Sequence, residues 1–413
     1  DAYNVAVGYE SGRHLTTGTN NVLIGGLAGN ALTTGGANVA IGTSALSAED
    51  GNGRNVAVGH AALFTQNAGG EAYNVAIGYY AGLSVSTGLY NVLIGGLAGD
   101  ALTTGGKNIA IGYQALSAED GHGNNVAIGH SALTLLNAGY EAYNTAIGYE
   151  AGKLMSTGIN NTLIGGAAGD AINTGSQNVA VGKASLSSAT TASDNVGLGH
   201  GALSALTTSA RNVAIGTQAL NGAMNTNSNT YNVAVGYKAG TAVTTGVKNV
   251  LIGGLAGDAL TTGSSNIAIG LQALSTEDEH GFNIAIGHNA LASQNAGADA
   301  YNVAIGHLAG EDITTGIRNT LIGGVAGDAL TTGNYNVAVG YQALSAEDGH
   351  GANVALGYQT LSAQNAGTDA FNVAIGFQSG LSVTTGTENT LTGGATGDAL
   401  TTGSRNTALG YNA

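Results

Sequence analysis

Short stretches such as Tyr73-Asn74-Val75-Ala76-Ile77-Gly78 alternate apolar and small or polar positions with a period of two, which is the pattern of a β-strand. The stretch recurs along the whole chain. Asparagine followed four residues later by glycine occurs at 4, 21, 38, 55, 74, 91, 108, 125, 144, 161, 178, 195, 212, 232, 249, 266, 283, 302, 319, 336, 353, 372, 389 and 406, giving twenty-four anchors. Successive anchors lie 17, 17, 17 and then 19 residues apart, so four coils make a superrepeat of 70 residues. Sets begin near 4, 74, 144, 232, 302 and 372, and the array 1–413 reads as a single repeat domain. It is interrupted once, over 178–231, where polar loops replace the usual ones and a fifth coil is inserted at Asn212.

A fixed short period overrides the domain count that 413 residues would otherwise suggest. At a strand rise of about 3.3 Å per residue, seventeen residues accommodate two strands of about five residues and two tight turns. The predicted fold is therefore all-β: a parallel β-solenoid of about 24 coils of 17–20 residues. Val75 and Ile77 are expected to point into the coil, with Gly78 supplying a corner. Stacking at about 4.8 Å per coil places each Asn over the last, so that side-chain amides form a ladder that fixes the register, and gives a rod of roughly 115 Å. Asn4, Asn74, Asn144, Asn232, Asn302 and Asn372 open the ladder in each set.

On that orientation the middle strand position faces outward. It is Ala in most coils and Leu in the second coil of every set: Leu23, Leu93, Leu163, Leu251, Leu321 and Leu391. A small apolar column with a Leu every fourth layer suits a close subunit contact, and a 17-residue coil encloses little apolar volume alone. The column is therefore expected to face the axis of a parallel homo-oligomer, most simply a homotrimer.

The repeated Asn-Val-Ala-Ile-Gly, followed by an Ala-Leu or Ala-Gly pair, resembles the head repeats of trimeric autotransporter adhesins and the shaft repeats of bacteriophage tail fibres. The resemblance spans the chain and implies a left-handed β-roll, three chains in register about a threefold axis, and a role in host attachment. The 17-residue period departs from the period near fourteen common in adhesin heads, which tilts the reading toward a phage or other viral fibre. The adhesins' membrane-anchor barrel and coiled-coil stalk have no counterpart in this sequence. The expected function is a structural fibre shaft, extracellular or on a virion, that presents a receptor-binding tip. The alternatives are an adhesin head whose lateral surface binds host glycan or matrix protein, and an ice-binding solenoid presenting its Thr-Thr-Gly turns.

Composition narrows the partners. Gly contributes 71 residues, Pro, Cys and Trp none, and Lys plus Arg only 10 against 25 acidic residues. Bulky side chains are too few for a wide core, so a thin aliphatic one is expected. A net charge of -15 disfavours nucleic acid and anionic membranes as partners. No apolar run approaches the roughly 20 residues of a membrane span. The start at Asp1 and the ends within repeats suggest a piece of something longer.

Chemistry-bearing residues are periodic. Glu49-Asp50, Glu119-Asp120, Glu277-Asp278 and Glu347-Asp348 recur once per set, three of them followed by His122, His280 or His350. These types bind divalent cations, but copies lie four layers apart and a hydrated loop is the expected state. His60, His130, His200 and His288 follow the anchor glycine, with Tyr358 in the corresponding place, and are expected to be exposed or packed against a subunit. Tyr73, Tyr143, Tyr231, Tyr301 and Phe371 precede the first Asn of their sets, as turn caps or as a sugar-stacking surface. No nucleophile elbow, phosphate loop or cysteine nucleophile is present, so no enzyme activity, cofactor or metal is expected.

Overall fold

The computed structural model describes residues 2–413. They form an all-β parallel solenoid with one three-residue strand per coil, twenty-four in all and numbered β1 to β24 in chain order, and no helix among the described residues. Two compact units divide the chain, Asp1–Thr208 and Ser209–Ala413, the boundary falling inside the irregular stretch 178–231. The first carries β1 (Val5–Val7) to β12 (Val196–Leu198), the second β13 (Val213–Ile215) to β24 (Thr407–Leu409).

Within each unit every strand pairs in parallel with its equivalent one coil on. In the first, β5 (Val75–Ile77) and β6 (Val92–Ile94) set Val75 beside Val92, Ala76 beside Leu93 and Ile77 beside Ile94. In the second, β18 (Val303–Ile305) and β19 (Thr320–Ile322) do the same with Ala304 beside Leu321. The 17-residue repeat thus becomes a perfect vertical register.

The second expected strand does not form. After the anchor glycine the chain alternates handedness: Gly95, Leu97 and Gly99 take φ of 133°, 59° and 55°. Such alternation flips successive peptide planes, so N–H groups point up and down the stack by turns. Leu97 N–H donates to Tyr79 O of the preceding coil at 2.9 Å, and Gly99 N–H to Ala115 O of the following coil at 2.9 Å. The backbone polar groups are satisfied by neighbouring coils without an extended segment.

The faces of the strand are reversed from the sequence expectation. The middle residue points inward: Ala76 and Leu93 are fully buried, whereas Ile77 is 39 % exposed and Val75 and Val92 are half-buried. Leu23, Leu93, Leu163, Leu251, Leu321 and Leu391 therefore belong to the core of their own coils and do not form a subunit contact. The cause is room. A Cβ on Gly78 (φ +142°) would sit 2.5 Å from Gly95 O of the next coil, which holds that position to Gly, and a large residue at the inward middle position needs space made elsewhere.

That space explains the superrepeat. Where the middle residue is Leu, the residue six positions later is Gly: Leu93 is followed by Gly99, Leu321 by Gly327. Where it is Ala, as at Ala110 and Ala127, that later position holds a buried Leu, here Leu116 and Leu133. The first coil has Ala76 and Gly82, and Leu93 leans into its gap. A Cβ on Gly82 would lie 2.7 Å from Leu93 Cδ1 and 3.0 Å from Leu63 Cδ2. Four coils thus share one interdigitated aliphatic column.

Candidate functional site

The asparagine ladder sits at the inner start of each strand. Asn74 Oδ1 accepts the backbone N–H of Asn91 at 2.8 Å, and Asn74 Nδ2 donates to Gly88 O, fourteen residues on in the same coil, at 2.7 Å. The side chain thus closes its own coil and grips the next. Asn4, Asn144, Asn232, Asn302 and Asn372 make the same closure onto Gly18, Gly158, Gly246, Gly316 and Gly386. The ladder runs chiefly from backbone to amide, with only occasional amide-to-amide bonds such as Asn161 Nδ2 to Asn144 Oδ1 at 3.2 Å. Its role is structural, although the buried Nδ2 atoms of Asn55 and Asn283 have no hydrogen-bond partner.

The outward strand face is broader than three residues. Period two continues on both sides, so Tyr73, Val75, Ile77 and Tyr79 share one face, while Asn74, Ala76 and Gly78 share the other. In every coil the third strand residue is Val, Ile or Leu except Thr392, and the first is Val or Ile except Thr145, Thr162, Thr320, Thr390 and Thr407. Each unit therefore carries two half-exposed aliphatic columns side by side, with aromatic and imidazole rings recurring among other residues on each flank.

The histidines expected beside the anchor glycine lie in one of those flanking columns. His60 stacks on Tyr79 with centroids 5.5 Å apart, His130 lies between Tyr113 and Tyr149 at 5.4 and 5.5 Å, and His288 stacks on His307 at 5.4 Å. Tyr358, at the equivalent place, is sandwiched by Tyr341 and Phe377. His200 is exposed in the same column. The imidazoles are members of a ring stack in which Tyr and Phe serve equally.

The tyrosines before the anchor form the other flank. Tyr73 stacks on Tyr90 at 5.6 Å beneath the Arg54 guanidinium, 5.3 Å from its ring centre, and Phe282 stacks on Tyr301 at 5.1 Å. Arg211 covers Tyr231 and donates to its hydroxyl at 2.7 Å. Tyr143 and Phe371 are exposed in the same column. These positions cap the strand entry and take left-handed φ values near 50°, as at Tyr73 (53°).

The Thr-Gly turns, by contrast, use their hydroxyls within the stack. Thr103 Oγ1 donates to Asp120 O at 2.7 Å, Thr261 to Asp278 O at 2.8 Å and Thr331 to Asp348 O at 2.8 Å. A lattice-matching surface needs those donors outward, which weakens the ice-binding alternative.

The acidic loops are solvated only in part: Asp50, Asp120 and Asp348 are exposed, but the glutamates are not. Glu49, Glu119, Glu277 and Glu347 have no exposed surface; they occupy the interior column that other coils fill with Val85, Leu102 or Leu136. One carboxylate oxygen accepts the N–H three residues on, from Asn52, His122, His280 and His350 at 3.0, 3.1, 3.0 and 3.3 Å. The other has no hydrogen-bond partner. Burial pushes all four carboxyls above the ordinary glutamate range, Glu347 to about 7. Sequence reasoning placed these residues in a solvated turn; the signal that locates them is their spacing, eleven residues after the anchor, where the neighbouring coils carry Leu or Val.

No protein-family model, no curated protein and no solved structure matches the chain.

Proposed function

We propose that this chain is a stretch of the shaft of an extracellular or virion-borne fibre, a parallel homotrimer that holds a receptor-binding tip away from its base. The observation that carries the reading is the outward strand face. Columns of Val and Ile, 36–39 % exposed at Ile24, Ile77, Ile147, Ile164, Ile215, Ile252, Ile322 and Ile375, repeat at strand spacing along each unit. An apolar strip of this length, broken only by a few threonines, marks an interaction surface. A partner that matches it coil for coil must carry the same spacing, and a second and third copy of this chain, parallel and in register, do so. The predicted contact thus moves from the middle strand position to the first and third. Three copies follow from the resemblance to trimeric fibre repeats.

The exposed ring pairs Tyr73–Tyr90 and Phe282–Tyr301 favour the adhesin head as second reading, since stacked aromatic faces suit glycan rings.

Sedimentation of the purified chain tests the assembly. The wild type is expected at three times 40.2 kDa, and a variant carrying Ile77→Lys, Ile94→Lys, Ile111→Lys and Ile128→Lys at lower mass with its circular dichroism retained. A monomeric wild type overturns the reading. Removing residues 74–143 should leave a folded protein about 19 Å shorter, four coils at strand spacing, if length is the function; binding of the intact chain to host glycan favours the adhesin.

A further inference from the structure

We propose that the loops Glu119-Asp120-Gly121-His122, Glu277-Asp278-Glu279-His280 and Glu347-Asp348-Gly349-His350 are three equivalent sites for a divalent transition-metal ion. In each, a Glu carboxylate oxygen, an Asp carboxylate oxygen and a His ring nitrogen lie within 4.8 Å of one another.

Three features of the geometry point to a cation. First, the glutamate is wholly buried, and its second oxygen has no hydrogen-bond partner in any of the three loops. A carboxylate taken into an apolar column is costly unless it is protonated or its lone pairs meet donors or a cation, and a cation would satisfy the orphaned oxygen directly. Second, the Nδ1 atoms of His122, His280 and His350 are also buried and without a hydrogen-bond partner. Third, Nδ1 stands 3.5, 3.5 and 3.7 Å from the glutamate Oε1. That separation is too long for a good N–H···O bond, yet it suits two ligands of one ion at about 2.0–2.2 Å from each. The Asp, exposed at 120 and 348 and half-buried at 278, closes the site from the solvent side, and the remaining positions fall to water.

The donor set selects the ion. One imidazole with two carboxylates suits Zn²⁺, Ni²⁺ or Mn²⁺. Ca²⁺ asks for six to eight oxygens, more than one loop offers.

The chain contains its own controls. In the first set Asn52 stands where the others have His, and its Glu49 still accepts the N–H of residue 52 at 3.0 Å. The loop therefore folds the same way without an imidazole. In the interrupted set Ala189, buried, occupies the glutamate position. Three sites are thus expected, not five.

Equilibrium dialysis of the full chain against Zn²⁺, with Ca²⁺ as comparison, tests the inference. The variant His122→Asn/His280→Asn/His350→Asn reproduces the loop of the first set, so folding is preserved. It is expected to bind three equivalents of Zn²⁺ fewer than the wild type, His122→Asn alone one fewer, and Ca²⁺ is expected to bind neither. Equivalents that persist in the triple variant belong to the exposed histidine column. Zn²⁺ is also expected to raise the thermal midpoint of the wild type and not that of the triple variant. Equal Zn²⁺ stoichiometry in both proteins overturns the proposal, as does an equal rise in midpoint. A trapped water satisfying the same atoms gives that equal outcome.

Discussion

Leu93 occupies the space that a side chain at Gly82 would need: a Cβ there would lie 2.7 Å from Leu93 Cδ1, and one at Gly99 2.8 Å from Cδ2. The two glycines and the leucine form one packing unit spread over two coils. Leu93→Ala removes a fully buried side chain whose surroundings are pinned by inter-coil hydrogen bonds, so the cavity collapses little. The expected loss is about 2–5 kcal/mol, read by chemical denaturation. Adding Gly99→Leu restores the small-then-large order of the third and fourth coils, where Leu116 and Leu133 take the same left-handed conformation, with φ of 53° and 49°. Partial recovery in the double variant is expected. No recovery would mean that the superrepeat has another cause.

The ladder predicts an asymmetry between two substitutions at Asn74. Asn74→Ala leaves the N–H of Asn91, and the acceptors at Gly88 O and Gln66 Oε1, without their partner. Each buried group left unpaired costs about 1–3 kcal/mol. Asn74→Asp keeps the acceptor toward Asn91 but aims a carboxylate at the two oxygens that Nδ2 now serves. It is expected to be the worse of the two at neutral pH and to improve on acidification, where a protonated acid again donates. Thermal midpoints of both variants at two pH values decide this.

The assembly prediction separates two positions one residue apart. Leu93→Asp puts a charge into a coil interior and is expected to unfold the array locally, with loss of circular dichroism. Ile94→Asp puts it on the outward face and is expected to weaken self-association while the coil stays folded. If both variants unfold alike, or both leave the sedimentation of the wild type unchanged, the outward face is not the contact.

The strand, its period and its stacking were legible because a single pentapeptide recurs with fixed ends. Its orientation was misread, although the sequence contained the correction. Tyr73 and Tyr79 have the same parity as Val75 and Ile77, and rings of that size do not fit inside a 17-residue coil. The aliphatic residues must therefore lie outside with them, and the small set Asn74, Ala76, Gly78 inside. The missing second strand was not legible in the same way, because alternating left-handed residues such as Leu97 and Gln114 have no compositional signature beyond an occasional glycine. The buried glutamates were hidden by residue type: Glu119 looks solvated until its position is compared with Leu102 one coil earlier, also eleven residues past an anchor.

Glu49 carries the cleanest pH prediction, because its loop lacks the histidine. Burial raises its carboxyl above the ordinary glutamate range, so the folded state holds the proton to higher pH than the unfolded chain does. A raised folded value means that the stabilising contribution is complete below the unfolded value and is lost as pH climbs through the folded one. Asp100, Asp170, Asp258 and Asp328 are shifted upward by burial in the same sense. The thermal midpoint of the wild type is therefore expected to rise as the pH is lowered from about 8 to about 5. Glu49→Gln, which places at 49 the amide that Gln66 already provides one coil on, removes the ionisable group. It is expected to be more stable than the wild type near pH 8, with the difference shrinking as the pH falls and the Glu49 carboxyl of the parent takes up its proton. A variant that is less stable at both pH values would show that the glutamate is held charged in the folded chain.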